Sequence, residues 1–184
     1  EIAITPSVRL PAGWSFASAL DGAQREGDDV RFATTTLETL IDAPLYTGKY
    51  LRSFTLDANP KAPVRLNAVA DAPELLEAKP EVLAAHKALV AQADHVFGTR
   101  PYAHYDFLLA VSAQFSGIGL EHQQSSENGQ GADYLLGQSP FNDNDLATSV
   151  REAMDLDARQ RAANATVDSV NSRLSTLTAR ERQI

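Results

Sequence analysis

The 184-residue chain has no cysteine, which excludes a disulfide framework and thiolate zinc sites. That absence suits a periplasmic or a cytoplasmic location equally. Basic residues are also short: 16 Lys and Arg stand against 24 Asp and Glu, a formal net charge of −8. A chain of this sign gains nothing from phosphate backbones or anionic lipid surfaces, so neither nucleic acid nor membrane is an expected partner. No apolar run approaches the ~20 residues that a membrane-spanning helix needs. The opening Glu1-Ile-Ala-Ile-Thr-Pro6 lacks the basic and apolar regions of a signal peptide, and lacks an initiator Met. It reads as the interior of a longer polypeptide.

Catalytic signatures are missing as well. His-Glu-x-x-His would put two imidazoles on one helix face with a glutamate as base, but among His86, His95, His104 and His122 no pair lies four apart. A Gly-x-Ser-x-Gly nucleophile elbow is absent, and so is a Gly-x-x-x-x-Gly-Lys phosphate cradle. The residues alone therefore predict no catalytic group and no metal ligand.

What is present is a globular composition, with 43% hydrophobic and 22% charged residues, enough for one medium domain or a small one with an appendage. Residues 1–57 have the texture of strands and turns. Val8 to Leu10, Trp14 to Ala17 and Val30 to Thr35 are short segments rich in β-branched or aromatic residues, separated by turn formers such as Asp21-Gly22. Tyr50 to Leu56 alternates, with Tyr50, Arg52, Phe54 and Leu56 on one face, as in a part-buried strand. Asn59 to Pro63 reads as a linker.

Val64 to Ala70 reads as a strand, and Asp71 with Glu74 three residues on as a helix start with Asp71 as cap. A longer helix is predicted after Pro80, with Val82, Leu83, Leu89, Val90, Ala93, Val96 and Phe97 as its apolar stripe and Gly98 as its stop. Tyr105 to Val111 predicts a buried central strand, Gly117 to His122 a further strand, and Ser125 to Gly131 a turn. Between Asn142 and Ile184 there is no Gly, Pro or aromatic residue, which is helical composition. Its stripe of Val167, Val170, Leu174 and Leu177 needs burial, so a homodimer through this helix is one expectation. Thr178 to Glu181 has the form of a capping box.

One pair stands out. Glu121-His122 ends an apolar strand just after Gly117 and Gly119, glycines that let another backbone approach. It is either a strand end reaching solvent, or a carboxylate placed to receive a ligand's ammonium group.

Leu37-Glu-Thr-Leu-Ile-Asp-Ala-Pro-Leu-Tyr-Thr-Gly48, together with Phe107 to Asn128 and its Gly117-Ile-Gly-Leu-Glu-His122, resembles the glycyl aminopeptidase family of zinc peptidases. The resemblance runs over about residues 5–128. It implies an amino-terminal β domain followed by the strand–helix–strand opening of a thermolysin-like domain. It also implies that Gly117, Gly119, Glu121 and His122 form the substrate-binding edge strand, with Glu121 recognising a peptide amino terminus. The family's zinc motif follows later in its chains and is not found in this one. Zinc is thus the cofactor of the full-length family, and none is expected here. Gly131 to Leu136 and Ser139 to Leu146 resemble the end of a response-regulator receiver domain, and Leu177 to Arg182 the run into a LuxR-type helix-turn-helix. Gln138-Ser139 stands where the receiver's lysine belongs.

The expected fold is α+β: a β-rich, sandwich-like front (1–57), the opening of a thermolysin-like domain (63–128) and a long helical tail (131–184). The expected function is that of a truncated or composite fragment of a glycyl-aminopeptidase-like metallopeptidase, inactive as it stands but keeping a strand that binds peptide amino termini. A non-catalytic peptide-binding module and a response-regulator-type dimerising protein are the alternatives.

Overall fold

A computed structural model of the chain describes residues 2–137. The helical stripe, the capping box and the regulator-like stretch beyond Gly137 lie outside the described residues. The first part holds β1 (Ala3–Ile4), β2 (Ser7–Arg9), β3 (Ser15–Ser18), β4 (Gln24–Glu26), β5 (Asp29–Arg31), β6 (Thr35–Thr36), helix α1 (Leu37–Ile41) and β7 (Leu45–Gly48). The second holds β8 (Tyr50–Asp57), β9 (Val64–Ala70), a 3-10 turn (Pro73–Leu76), helix α2 (Pro80–Phe97), β10 (Tyr105–Val111), β11 (Gly119–Glu121) and β12 (Ser125–Gln130). The described fold is α+β and dominated by sheet.

The main sheet has the order β11-β12-β10-β9-β8. β9, β10 and β12 run parallel, and the outer strands β8 and β11 are antiparallel to their neighbours. Parallel strands need a long crossover, and α2 supplies it between β9 and β10. Smaller antiparallel sheets, β1-β6, β2-β5-β4 and β3-β7, make up the front.

Each face of the main sheet is covered. On one side Leu56, Leu66, Leu109 and Val111 meet Val90 and the partly buried Val82 and Leu83 of α2. On the other, Ala17 of β3 and Tyr46 of β7 pack on Leu108 and Ala110 of β10. β10 is therefore buried on both faces, which explains why its sequence is a continuous apolar run rather than an alternating one. The alternation of β8 also has its reason: Tyr50, Phe54 and Leu56 face the helix side, and Leu51 the β3-β7 side.

Several expectations need correction. Ser125 to Gly131 is not a turn, because β12 is a strand paired with β10 and β11 and buries Ser125, Ser126 and Gly129. Tertiary position overrides a turn-forming composition there: small residues fit a strand lying between two others. Val30 to Thr35 is not one strand but β5 and β6, with a break at Phe32 to Thr34. Asp71 is no helix cap, since its carboxylate accepts from the Ala113 N–H at 3.3 Å and the 3-10 turn is preceded by Ala72. In α2 the predicted ends hold, with Pro80 in the first turn and Gly98 left-handed at φ 67°, but Val90 alone is fully buried. Leu89, Val96 and Phe97 are exposed.

Asn59 to Pro63, read as a linker, joins β8 to β9 inside one sheet, so the 57/63 division runs through that sheet. Leu135 is completely buried in the core against the helix side, and its carbonyl accepts from the Lys79 N–H at 2.9 Å.

Candidate functional site

Glu121 ends β11, the outermost strand of the main sheet, and every residue of β11 is exposed. The hydrogen bonds show which backbone groups are free. His122 N–H donates to Ser125 O, and Gly129 N–H donates to Ile118 O. Antiparallel alternation then pairs Leu120 with Glu127 between them, and turns the N–H and C=O of Gly119 and Glu121 away from β12. The open edge carries the backbone groups of the two residues predicted to bind substrate.

The glycines have different roles. Gly117 lies at φ +77°, a left-handed conformation that side chains rarely adopt, and its N–H donates to Gly129 O. A Cβ on Gly119 would meet nothing within 4 Å, so that strand position opens onto free space. Within the fold, a close approach occurs at Gly129, where a Cβ would lie 2.9 Å from Ile118 Cγ2 and 3.1 Å from Ser116 Cα.

Glu121 stands at the meeting of two depressions. One is an apolar cleft of about 840 Å³, with Leu89, Ala93 and Phe97 of α2 on one wall and Tyr105 and Phe107 of β10 on the other. The second, of about 810 Å³, runs along α1 past Thr39, Asp42 and His122. The Tyr105 hydroxyl is pushed above its ordinary pKa mainly by burial, with the negative charge of Glu121 adding to it.

His122 is not a strand end reaching solvent. Its side chain is 12% exposed and sits between two carboxylates, with Nδ1 3.2 Å from Asp42 Oδ1 and Nε2 3.5 Å from Glu127 Oε2. The second separation does not make a hydrogen bond, and the buried Nε2 has no hydrogen-bond partner among the described residues. Asp42 Oδ2 also accepts the Gln123 N–H at 2.9 Å. Of the four predicted residues, Gly119 and Glu121 thus share the open edge, Gly117 shapes the turn before it, and His122 faces inward.

Sequence reasoning missed a second cluster. Asp106, 1% exposed, accepts from Arg65 Nε and Nη2 at 2.9 and 3.0 Å, from Asn67 Nδ2 at 2.8 Å and from His104 Nδ1 at 2.8 Å. Ser53 donates to Asn67 Oδ1 at 2.7 Å, and His104 Nε2 lies 3.3 Å from Asp21 Oδ1. These groups line a cavity of about 420 Å³ beneath Phe16 and Ala17. Only a Lys, Arg, Asn or His at alternate strand positions could have signalled it, and Arg65 and Asn67 are such a pair.

Among the described residues no three His, Asp or Glu side chains converge as metal ligands.

A family model for the Peptidase M61 N-terminal domain matches residues 1–49. In solved structures, the chain is similar to an aminopeptidase N family protein from Idiomarina loihiensis, with 22% identity and a TM-score of 0.52 over 75% of this chain and 24% of that one. It is also similar to a two-domain M1 zinc metallopeptidase variant bound to L-tryptophan, with 18% identity and a TM-score of 0.45 over 68% and 29% of the two chains. The first likeness shows the fold. The chain spans about a quarter of the length of that first structure. No curated protein matches in sequence. The response-regulator and LuxR-type resemblance of residues 131–184 finds no support in these comparisons.

Proposed function

We propose that the chain is the front part of a glycyl-aminopeptidase-like metallopeptidase and that β11 holds the amino terminus of a peptide, with Glu121 receiving its ammonium group. The observation that carries this reading is the free outer edge of β11. Gly119 and Glu121 offer unpaired backbone donors and acceptors there, and a peptide can add as a further strand. The exposed carboxylate of Glu121 lies at the end of the same edge. An ammonium–carboxylate contact is a charge-assisted hydrogen bond, stronger than a neutral one. The family match over residues 1–49 and the fold shared with an aminopeptidase N family protein support the peptidase part.

Hydrolysis needs a further component. Without a group that activates water, a carboxylate holding an amine leaves the amide bond intact. The chain has no His-Glu-x-x-His, so this segment alone is proposed to bind peptides and not to cleave them.

Calorimetric titration with a glycine-rich peptide tests both points. Binding should weaken about tenfold when the peptide amino terminus is acetylated or when Glu121→Gln removes the charge. Equal affinity in all three cases overturns the amine-binding reading. Peptide turnover accompanied by stoichiometric zinc uptake overturns the inactivity.

A further inference from the structure

We infer that Asp42 and His122 are positioning residues for Glu121, forming a latch by which the front segment sets the edge strand. This rests on the reading of Glu121 as the amine-binding carboxylate. β11 has three residues and one paired neighbour, so little within the sheet holds it. At its start, Ile118 O and the Gly117 N–H are tied to Gly129. At its end the restraint comes from far away in sequence. Asp42, the residue that terminates α1, reaches across to the two residues after Glu121.

The carboxylate acts on backbone and side chain together. Oδ2 accepts the Gln123 N–H at 2.9 Å, and Oδ1 lies 3.2 Å from His122 Nδ1. The His122 N–H donates to Ser125 O at 2.8 Å, closing the turn into β12. Glu127, on β12, faces the other side of the imidazole. His122 and Gln123 are thereby fixed relative to α1, and with Leu120 paired to Glu127 the backbone that orients the Glu121 side chain is held on both sides. A binding carboxylate held this way loses less freedom when its ligand arrives.

α1 itself is anchored by its own cap. Thr36 Oγ1 accepts the Thr39 N–H at 3.1 Å, and the Asp42 N–H donates to Glu38 O at 3.2 Å. The segment that matches an M61 amino-terminal domain therefore contributes to the edge on which the peptide would lie.

The test compares a glycine-rich peptide having a free amino terminus with its acetylated form, on the full chain. Wild type should prefer the free form about tenfold, and Asp42→Ala should bring that ratio close to one. Asp42→Asn, which keeps an oxygen acceptor for the Gln123 N–H, should retain most of the preference. Hydrogen exchange in the free protein should speed up at residues 120–123 in Asp42→Ala, while β9 and β10 stay protected. A purely structural Asp42 would lower stability throughout and leave the ratio alone. A preference that survives Asp42→Ala, or unchanged exchange at 120–123, overturns this inference by itself. A wild type with no preference overturns the Glu121 reading and this inference with it.

Discussion

Arg65 and Asp106 form a two-pronged ion pair across the parallel strands β9 and β10, Nε to Oδ1 at 2.9 Å and Nη2 to Oδ2 at 3.0 Å. The Asp106 side chain is 2% exposed and that of Arg65 is 47% exposed, so the carboxylate is the desolvated partner. Burial of a charge is tolerable only when its lone pairs are used, and Arg65, Asn67 and His104 together use those of Asp106.

Asp106→Ala should accordingly be costly. It removes one acceptor group and leaves buried donors on Asn67 and His104 without it. A loss of about 1–3 kcal/mol is expected, the cost of leaving buried donors unsatisfied, since the Arg65 left behind is half-exposed. Urea denaturation measures it; a loss below about 1 kcal/mol would show that water replaces the carboxylate with ease.

Arg100 predicts a second failure on substitution. It donates Nε to Asp94 Oδ1 at 2.7 Å and Nη1 to Ala62 O, and its Nη2 also reaches Asp57 and Asp94. One fork thus ties the end of α2 to the β8–β9 connection. Lysine offers one ammonium and cannot span these sites, so Arg100→Lys should lower the melting midpoint almost as far as Arg100→Ala does. The hydrogen bond from Arg100 holds the Asp94 carboxyl below its ordinary pKa. Its contribution is therefore full above the usual carboxylate range and is lost as pH falls below that range toward the lower value of the folded chain. The difference between wild type and Arg100→Lys should narrow at acid pH.

Tyr46 makes the opposite kind of pH prediction. Its hydroxyl is pushed up to about 12, first by burial and then by the charge of Glu127. The unfolded chain loses this proton near 10, the ordinary value, while the folded chain keeps it. Stability from this group is complete below the unfolded value and declines as pH rises toward the folded one. Ultraviolet titration of tyrosinate should show several rings ionising above 10, Tyr105 among them, and Tyr46→Phe should remove the latest of these steps. A titration unchanged by Tyr46→Phe would refute the assignment.

How legible these features were in the sequence depends on how far their causes reach along the chain. β8, β9, α2 and β10 were legible because alternation, a Pro start, a Gly stop and a continuous apolar run are local signals. The strand that carries Glu121 was legible too, and the structure sets it at an edge of the main sheet. β12 was not, because Ser125 to Gln130 becomes a strand only through its neighbours β10 and β11. The same holds for the exposed end of α2, where helical spacing tells which residues share a face but not how far along that face the sheet extends. The partners of His122 and Asp106 were illegible for the plainest reason: Asp42 lies 80 residues before His122, and Arg65 lies 41 before Asp106.

Gly119 and Gly129 offer the sharpest contrast: the sequence reads the first as strand and the second as turn, and the structure sets both in paired strands. At Gly129 an added methyl would meet Ile118 Cγ2 and Ser116 Cα at 2.9 and 3.1 Å, and Ser116 can move only with its backbone. Gly129→Ala should therefore cost about 1–3 kcal/mol, as overpacking does. It should also raise hydrogen exchange at Gly117, whose N–H bonds to Gly129 O. At Gly119 nothing stands within 4 Å and the backbone is not left-handed, so Gly119→Ala should stay within about 0.5 kcal/mol of wild type. Its effect on binding should be small too, because strand side chains stand perpendicular to the sheet and an added methyl leaves the in-plane N–H and C=O of Gly119 free to pair. Gly119→Pro removes that N–H instead: weaker peptide affinity at unchanged stability would place the ligand along this edge, whereas unchanged affinity would move it elsewhere.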